Sequence, residues 1–173
     1  MGIKKNRIGI LGGSFDPAHK GHLAISKVAA KKFKLKKIFW AITKKNPFKK
    51  KSYLDLSARI NLCKKITKKI KFIEVKCFEN KVRSNKTVNL INFFAKNIKN
   101  EVFFIMGADN LINFHKWYKW KTISQKCYII VFDRHGYKKK SLNSKTYKSL
   151  NREKLKFINF NKVNISSSQL RKI

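Results

Sequence analysis

"GILGGSFDPAHKGHL", residues 9–23, holds four of the chain's seven glycines, one of its two prolines, two of its four histidines and one of its eight acids. An apolar run ends in Gly12-Gly13, a turn through Asp16 and Pro17 follows, and His19 and His22 stand at the start of a helical pattern. A strand, a glycine turn and a helix start in that order let the backbone approach a ligand closely. They also aim free N–H groups and a helix dipole at an anion.

Outward from this stretch, short apolar runs alternate with helix-like segments. Residues 7–11, 37–42, 71–75, 101–106, 127–132 and 156–160 have the Ile, Val and Phe content and the length of buried strands. Between them, 22–33, 55–69, 87–97 and about 110–125 carry helical apolar spacing, with Asp55 and Ser57 able to cap the second. Such alternation predicts a Rossmann-like, doubly wound α/β fold, a mostly parallel sheet with helices on both faces. Residues 136–152, polar and rich in Lys and Ser, read as the least structured part, and 44–52 as a basic loop. Both are connections, so residues 1–173 read as one domain. In such sheets ligands bind beyond the carboxyl ends of the strands. The quoted stretch, "NPFKK", "MGADN" and "RHG" all follow strand candidates, which lines them along one edge.

The 173 residues are enough to bury roughly 70% of the unfolded chain's surface without a metal or disulfide. Cys63, Cys77 and Cys127 are odd in number, far apart and lack metal-ligand spacing, so free and mostly buried thiols are expected. No stretch approaches the ~20 apolar residues of a membrane span. The basic, then apolar N-terminus is too short for a signal peptide, so a cytoplasmic protein without a membrane partner is expected. A net charge of +35 invites a nucleic-acid reading, but the cations are mostly Lys spread along the whole chain. Arg, which reads phosphates and bases bidentately, is confined to Arg7, Arg59, Arg83, Arg134, Arg152 and Arg171. Compositional bias explains this balance better than a specific nucleic-acid partner.

Two phosphate-loop patterns are absent: Gly-x-x-x-x-Gly-Lys-Ser/Thr, and Gly-x-Gly-x-x-Gly followed by an acid about twenty residues on. Gly21 precedes a predicted helix, and His19 and His22 face one spot where either could donate to phosphate oxygens. Zinc is the rival reading of paired histidines, but third and fourth ligands are missing nearby. A blander reading has both merely satisfied in a turn. At the other end, "ISSSQLRK", residues 165–172, reads as a donor-rich helix start with Arg171 one turn further on. Alone it would read as a frayed, Ser-rich terminus.

Together, His-x-Gly-His after a first strand and Ser-Ser-Ser-x-x-Arg late in the chain resemble the nucleotidylyltransferase superfamily. "GGSFDPAHKGHL", "TKKNPFKK", "SNKT", "FIMGADNLINFHKWYKW", "VFDR" and "ISSSQLRK" follow one another as in bacterial nicotinate-nucleotide adenylyltransferases, from about Ile8 to Arg171. The resemblance implies ATP and nicotinate mononucleotide as substrates, Mg²⁺ arriving with ATP rather than on protein side chains, and deamido-NAD and pyrophosphate as products. It implies catalytic roles for His19, His22 and Arg171, with Gly12, Ser14 and Phe15 lining the nucleotide. Ser167 and Ser168 would hold the triphosphate beside Arg171, and Gly107 and Asp109 would meet the nucleotide sugars. Trp117 would stack on the pyridine ring, with the Tyr118 backbone N–H near its carboxylate; Asn46, Lys49, Thr87 and Arg134 would line the same nucleotide. Trp117 also reads as a core aromatic, the reading given to Trp40 and Trp120; His115 and His135 read as surface or supporting residues.

Ser14 and Ser168 stand where Thr is commoner in the family, which keeps the hydroxyl. The sequence stops two residues after Arg171, where relatives usually continue with a helical segment, so a minimised enzyme or a homo-oligomer is expected. A sister enzyme with another acceptor, such as phosphopantetheine, is opposed by Trp117 and the "GADN" block. A nucleic-acid-binding module that has lost catalysis is opposed by His19, His22 and Arg171.

Overall fold

A computed structural model describes residues 5–45 and 52–160. In chain order the elements are β1 (Asn6–Gly13), α1 (Lys20–Phe33), β2 (Lys37–Ile42), α2 (Leu56–Thr67), β3 (Ile73–Lys76), α3 (Glu79–Val82), α4 (Thr87–Ala95) and β4 (Asn100–Gly107). They continue with α5 (Ala108–Asn113), a 3-10 turn (Phe114–Lys116), α6 (Trp120–Lys126), β5 (Tyr128–Phe132), α7 (Lys138–Leu142), α8 (Lys145–Ser149) and β6 (Leu155–Ile158).

The strands form a six-stranded sheet in the order β3-β2-β1-β4-β5-β6, and every pairing is parallel. This is the doubly wound fold expected from the alternating pattern. Strand residues alternate between two cores because successive side chains point to opposite faces. Ile10, Phe104, Met106, Ile129 and Val131 pack with α4, α5 and α6, whereas Leu11, Phe103, Ile105, Ile130 and Phe132 pack with α1 and α2. The chain winds outward from β1 through β2 to β3, then returns to place β4 against the other side of β1. That reversal opens a crevice past the ends of β1 and β4, where Gly13 and Gly107 lie.

Several local expectations are corrected. The helix expected over about 110–125 is α5, a 3-10 turn and α6, broken by extended Trp117 (φ −76°, ψ 142°) and left-handed Lys119 (φ 51°). Aromatic packing overrides helix propensity there: the Phe114 ring lies 5.3 Å from Trp117 and 6.0 Å from Trp120. Residues 136–152 are not the least ordered part, since α7 and α8 pack against α5. Their few apolar residues hide this. Order comes instead from the Ser144 hydroxyl accepting from the Tyr147 N–H, and from Ser141 and Thr146, both buried and hydrogen-bonded. Asp55 caps α2 by accepting from the Ala58 N–H, while Ser57 lies inside the helix. Cys63 and Cys127 are buried, and burial pushes both thiols up to about 12; Cys77 is half-buried. No helix among the described residues is long and apolar enough to cross a membrane.

Candidate active site

A cleft of about 760 Å³ opens over the crevice between β1 and β4. Gly12, Ser14, Phe15, His19, His22, Thr87, Gly107, Asp109, Trp117, Tyr118 and Arg134 all line it, so the structure brings together every sequence-predicted site residue it describes. Asn46, Lys49, Ser167, Ser168 and Arg171 lie outside the described residues.

The turn from β1 into α1 is built on Phe15, a buried residue in the left-handed region at φ 49°. A bulky side chain rarely adopts that conformation, and here packing compensates for it. The Phe15 ring stacks on buried Trp40 at 5.0 Å and meets His22 at 4.8 Å. Trp40 Nε1 donates to Ser26 Oγ, which itself donates to the His22 carbonyl. Trp40 therefore belongs to the core, as expected, and also serves as the platform under the histidine.

Helix α1 begins at Lys20, so Gly21 is inside it rather than ahead of it, and His19 is its N-cap. The two histidines cap the helix reciprocally. His19 Nδ1 accepts from the Gly21 N–H at 3.1 Å, and His22 Nδ1 accepts from the His19 N–H at 3.2 Å. A backbone N–H can only donate, so each Nδ1 is unprotonated and each neutral ring carries its proton on Nε2. The ring centroids are 3.9 Å apart, which places the two groups at one spot.

Burial pushes His19 down to about 4, helped by the Arg134 guanidinium. Burial also pushes His22 down to about 3, with the charges of His19 and Arg134 outweighing the bond from the His19 backbone. Both are neutral N–H donors near pH 7. NMR should find both imidazoles neutral down to about pH 5, below the ordinary imidazole value of about 6.5. Because the folded values lie below the unfolded one, the unfolded chain binds more protons between the two. Stability is therefore complete above about 6.5 and falls as the pH drops from there toward the folded values of about 4 and 3. Normal titration of either ring near 6.5 would show that it is not enclosed as described.

Across the crevice, Asp109 Oδ2 accepts from Arg134 Nη1 at 2.6 Å. The resemblance assigned these two residues to different nucleotides; the structure joins them as one ion pair. A Cβ at Gly107 would stand 2.4 Å from Asp109 Oδ1, so the carboxylate would have to swing aside to admit it. Gly107→Ala should therefore turn the carboxylate away and break the pair. A half-exposed pair contributes about 0–1 kcal/mol, so stability should change little. Any ligand bound through this carboxylate should weaken about tenfold, as for the loss of one charged contact of about 1.4 kcal/mol. Unchanged affinity would show that the ligand does not use Asp109.

At the far end, Trp117 is half-buried, its ring edge-on to Phe104 at 6.0 Å. Thr87 opens α4, whose cap residue Lys86 makes no side-chain cap bond; Ser84, Asn85 and Lys86 also line the cleft.

Three polar residues at the cleft were not among the predicted site residues. Asp16 accepts from the Tyr53 and Leu54 N–H groups at 2.7 and 2.9 Å. Glu79 lines the cleft and accepts from Thr43 Oγ1 and the Lys44 N–H at 2.6 and 2.8 Å. Arg59, 1% exposed, lies under the floor of the cleft. A signal for Arg59 was present: it shares one helical stripe of α2 with buried Cys63 and Thr67. His115 is half-buried and its backbone N–H donates to Thr146; His135 is exposed.

The chain matches the cytidylyltransferase-like family model over residues 10–173. It is 66% identical over 170 residues to the probable nicotinate-nucleotide adenylyltransferase of Pelagibacter ubique (strain HTCC1062), spanning 98% of this chain and 94% of that one. The probable nicotinate-nucleotide adenylyltransferase of Bradyrhizobium sp. (strain ORS 278) is 36% identical over 84% of this chain and 77% of its own length. Among solved structures, Plasmodium falciparum nicotinic acid mononucleotide adenylyltransferase complexed with NaAD shares the fold, with a TM-score of 0.79. Its identity is 23%, over 96% of this chain and 83% of that one. A strand-glycine-histidine opening, a crevice at the sheet's switch point and this likeness over nearly the whole chain agree: the chain belongs to the nicotinate-nucleotide adenylyltransferases, within the cytidylyltransferase-like family.

Proposed function

We propose that the cleft binds ATP, with its Mg²⁺, beside nicotinate mononucleotide and joins them into deamido-NAD and pyrophosphate, a step of NAD biosynthesis. The observation that carries the mechanism is the pair of neutral histidines, each with Nδ1 occupied and Nε2–H free to donate, at the glycine end of β1. A phosphate oxygen of the mononucleotide attacks the α-phosphorus in line. The bond from that phosphorus to the bridging oxygen breaks, and the electron pair leaves with pyrophosphate. The nucleophile is already an anion, so neither a protein base nor a covalent intermediate is needed. What the protein contributes is position and fixed donors where charge develops.

In this reading the His19 and His22 Nε2–H groups meet the leaving phosphates, joined by Ser167, Ser168 and Arg171 from the end of the chain. Gly12, Ser14 and Phe15 line the adenine nucleotide, and Gly107 and Asp109 its sugar side. Trp117, the Tyr118 backbone N–H, Thr87, Asn46, Lys49 and Arg134 receive the pyridine nucleotide. In this reading Mg²⁺ enters as part of the ATP substrate. The purified protein should release pyrophosphate and form the dinucleotide when given ATP, Mg²⁺ and nicotinate mononucleotide. Adenylylation of phosphopantetheine in its place would overturn the acceptor, and no transfer to any acceptor would overturn the reading.

A further inference from the structure

Arg59 is a full positive charge buried under the cleft, and no carboxylate among the described residues forms an ion pair with it. Its acceptors are all backbone carbonyls. Nη1 donates to Ser14 and Thr43 at 2.8 Å each, Nη2 to Lys44 at 2.9 Å, and Nε to Leu54 at 3.2 Å. A buried charge is costly, so the fork calls for a reason.

That reason lies in what the carbonyls belong to. Ser14 is in the turn that follows β1, while Thr43 and Lys44 follow β2 on the neighbouring wall. The backbone polar groups of Thr43 and Lys44 are accounted for completely. The Thr43 N–H donates to the Gly13 carbonyl at 3.0 Å and the Lys44 N–H to Glu79, and both carbonyls accept from Arg59. The Thr43 hydroxyl also goes to Glu79. A cation from α2 and an anion from α3 thus both hold these two residues.

We propose that Arg59 is a positioning residue for adenylyl transfer: its fork sets the separation between the Ser14 turn and the Thr43–Lys44 wall of the cleft. The planar guanidinium matters because one rigid group spans both walls; a lysine ammonium reaches the same carbonyls without fixing their spacing. The kinetic part of this proposal rests on the adenylyltransferase reading, and the structural part does not.

The test is Arg59→Lys, studied well below its unfolding temperature. Hydrogen exchange at the Thr43 and Lys44 amides should quicken at least about tenfold, which needs no activity to observe. ATP affinity without acceptor should stay within about threefold, while kcat falls about 10- to 100-fold, as expected for misaligned reactants. In Arg59→Ala, millimolar guanidinium should restore part of the lost rate. A Lys variant with unchanged exchange, or with kcat per folded molecule within about twofold of the parent, overturns the proposal. So does a folded Ala variant that guanidinium does not rescue; if the Ala chain does not fold, the Lys variant decides. A parent protein that forms no dinucleotide overturns the functional reading instead, and exchange alone then judges Arg59.

Discussion

His22→Ala is expected to lower kcat by about 10²–10⁴-fold, and His19→Ala by a similar factor. Each removes an Nε2–H held at the glycine end of β1, where in the proposed reaction the leaving pyrophosphate would gather charge. The rings are neutral, so what is lost is an aimed donor rather than a positive charge. Glutamine carries an amide N–H close to the Nε2 position, whereas asparagine carries one close to Nδ1. His22→Gln should therefore keep about tenfold or more of the activity that His22→Ala loses, and His22→Asn should not. Stability is not untouched, although a position in a loop mouth would suggest so. His19 caps α1, and removing such a cap costs about 0.5–2 kcal/mol, a modest fall in the unfolding temperature. Near-full turnover in a folded Ala variant of either histidine would remove it from the chemistry. Equal damage by Gln, Asn and Ala would remove the donor assignment.

The contrast between these histidines and Arg59 shows what a sequence exposes. Strands such as Lys37–Ile42 were legible because buried parallel strands are continuous apolar runs, bounded by residues that cannot continue them. The histidine pair was legible because glycine, proline and histidine are rare elsewhere in the chain. Its protonation was not, since that depends on burial against Phe15 and Trp40 and on Arg134, far away in sequence. Arg59 was lost among 43 basic residues, although it is a buried one. The break at Trp117 was also hidden: Phe114, Trp117 and Trp120 have the spacing of a helical face, yet Trp117 is extended and Lys119 left-handed. Where partners are local the pattern can be read; where the tertiary neighbours decide, it cannot.

The second large effect concerns the acceptor base. Nicotinate mononucleotide should be used about 30- to 1,000-fold better than nicotinamide mononucleotide, measured as kcat/KM at saturating ATP. Nicotinate carries a ring carboxylate where nicotinamide has a neutral amide. Lys86, Lys116 and Arg134 line the cleft that also holds Trp117 and Tyr118. Three carboxylates line it as well, but each is engaged. Glu79 accepts from Thr43 and Lys44, Asp109 from the Arg134 guanidinium, and Asp133 from the Arg134 backbone N–H. The three cations and three carboxylates of the lining cancel formally, so the attraction for an anionic ligand comes from these aimed donors and from the rest of a chain of net charge +35. The Tyr118 backbone N–H would give the carboxylate a charge-assisted bond. The amide can offer one oxygen to the same donor, but its NH₂ would oppose the next donor and leave it unpaired. Losing a charged hydrogen bond and stranding a donor costs on the order of 2–4 kcal/mol, which is the stated range of preference. Stacking does not depend on the carboxylate, so Trp117→Ala should raise KM for both mononucleotides and leave their ratio within about threefold of the parent's. If the two substrates have equal kcat/KM in the parent protein, the carboxylate has no dedicated partner in this cleft, while adenylyl transfer itself stands. If Trp117→Ala abolishes the preference while sparing nicotinamide mononucleotide, the ring must owe its place to the carboxylate contact rather than to the stack.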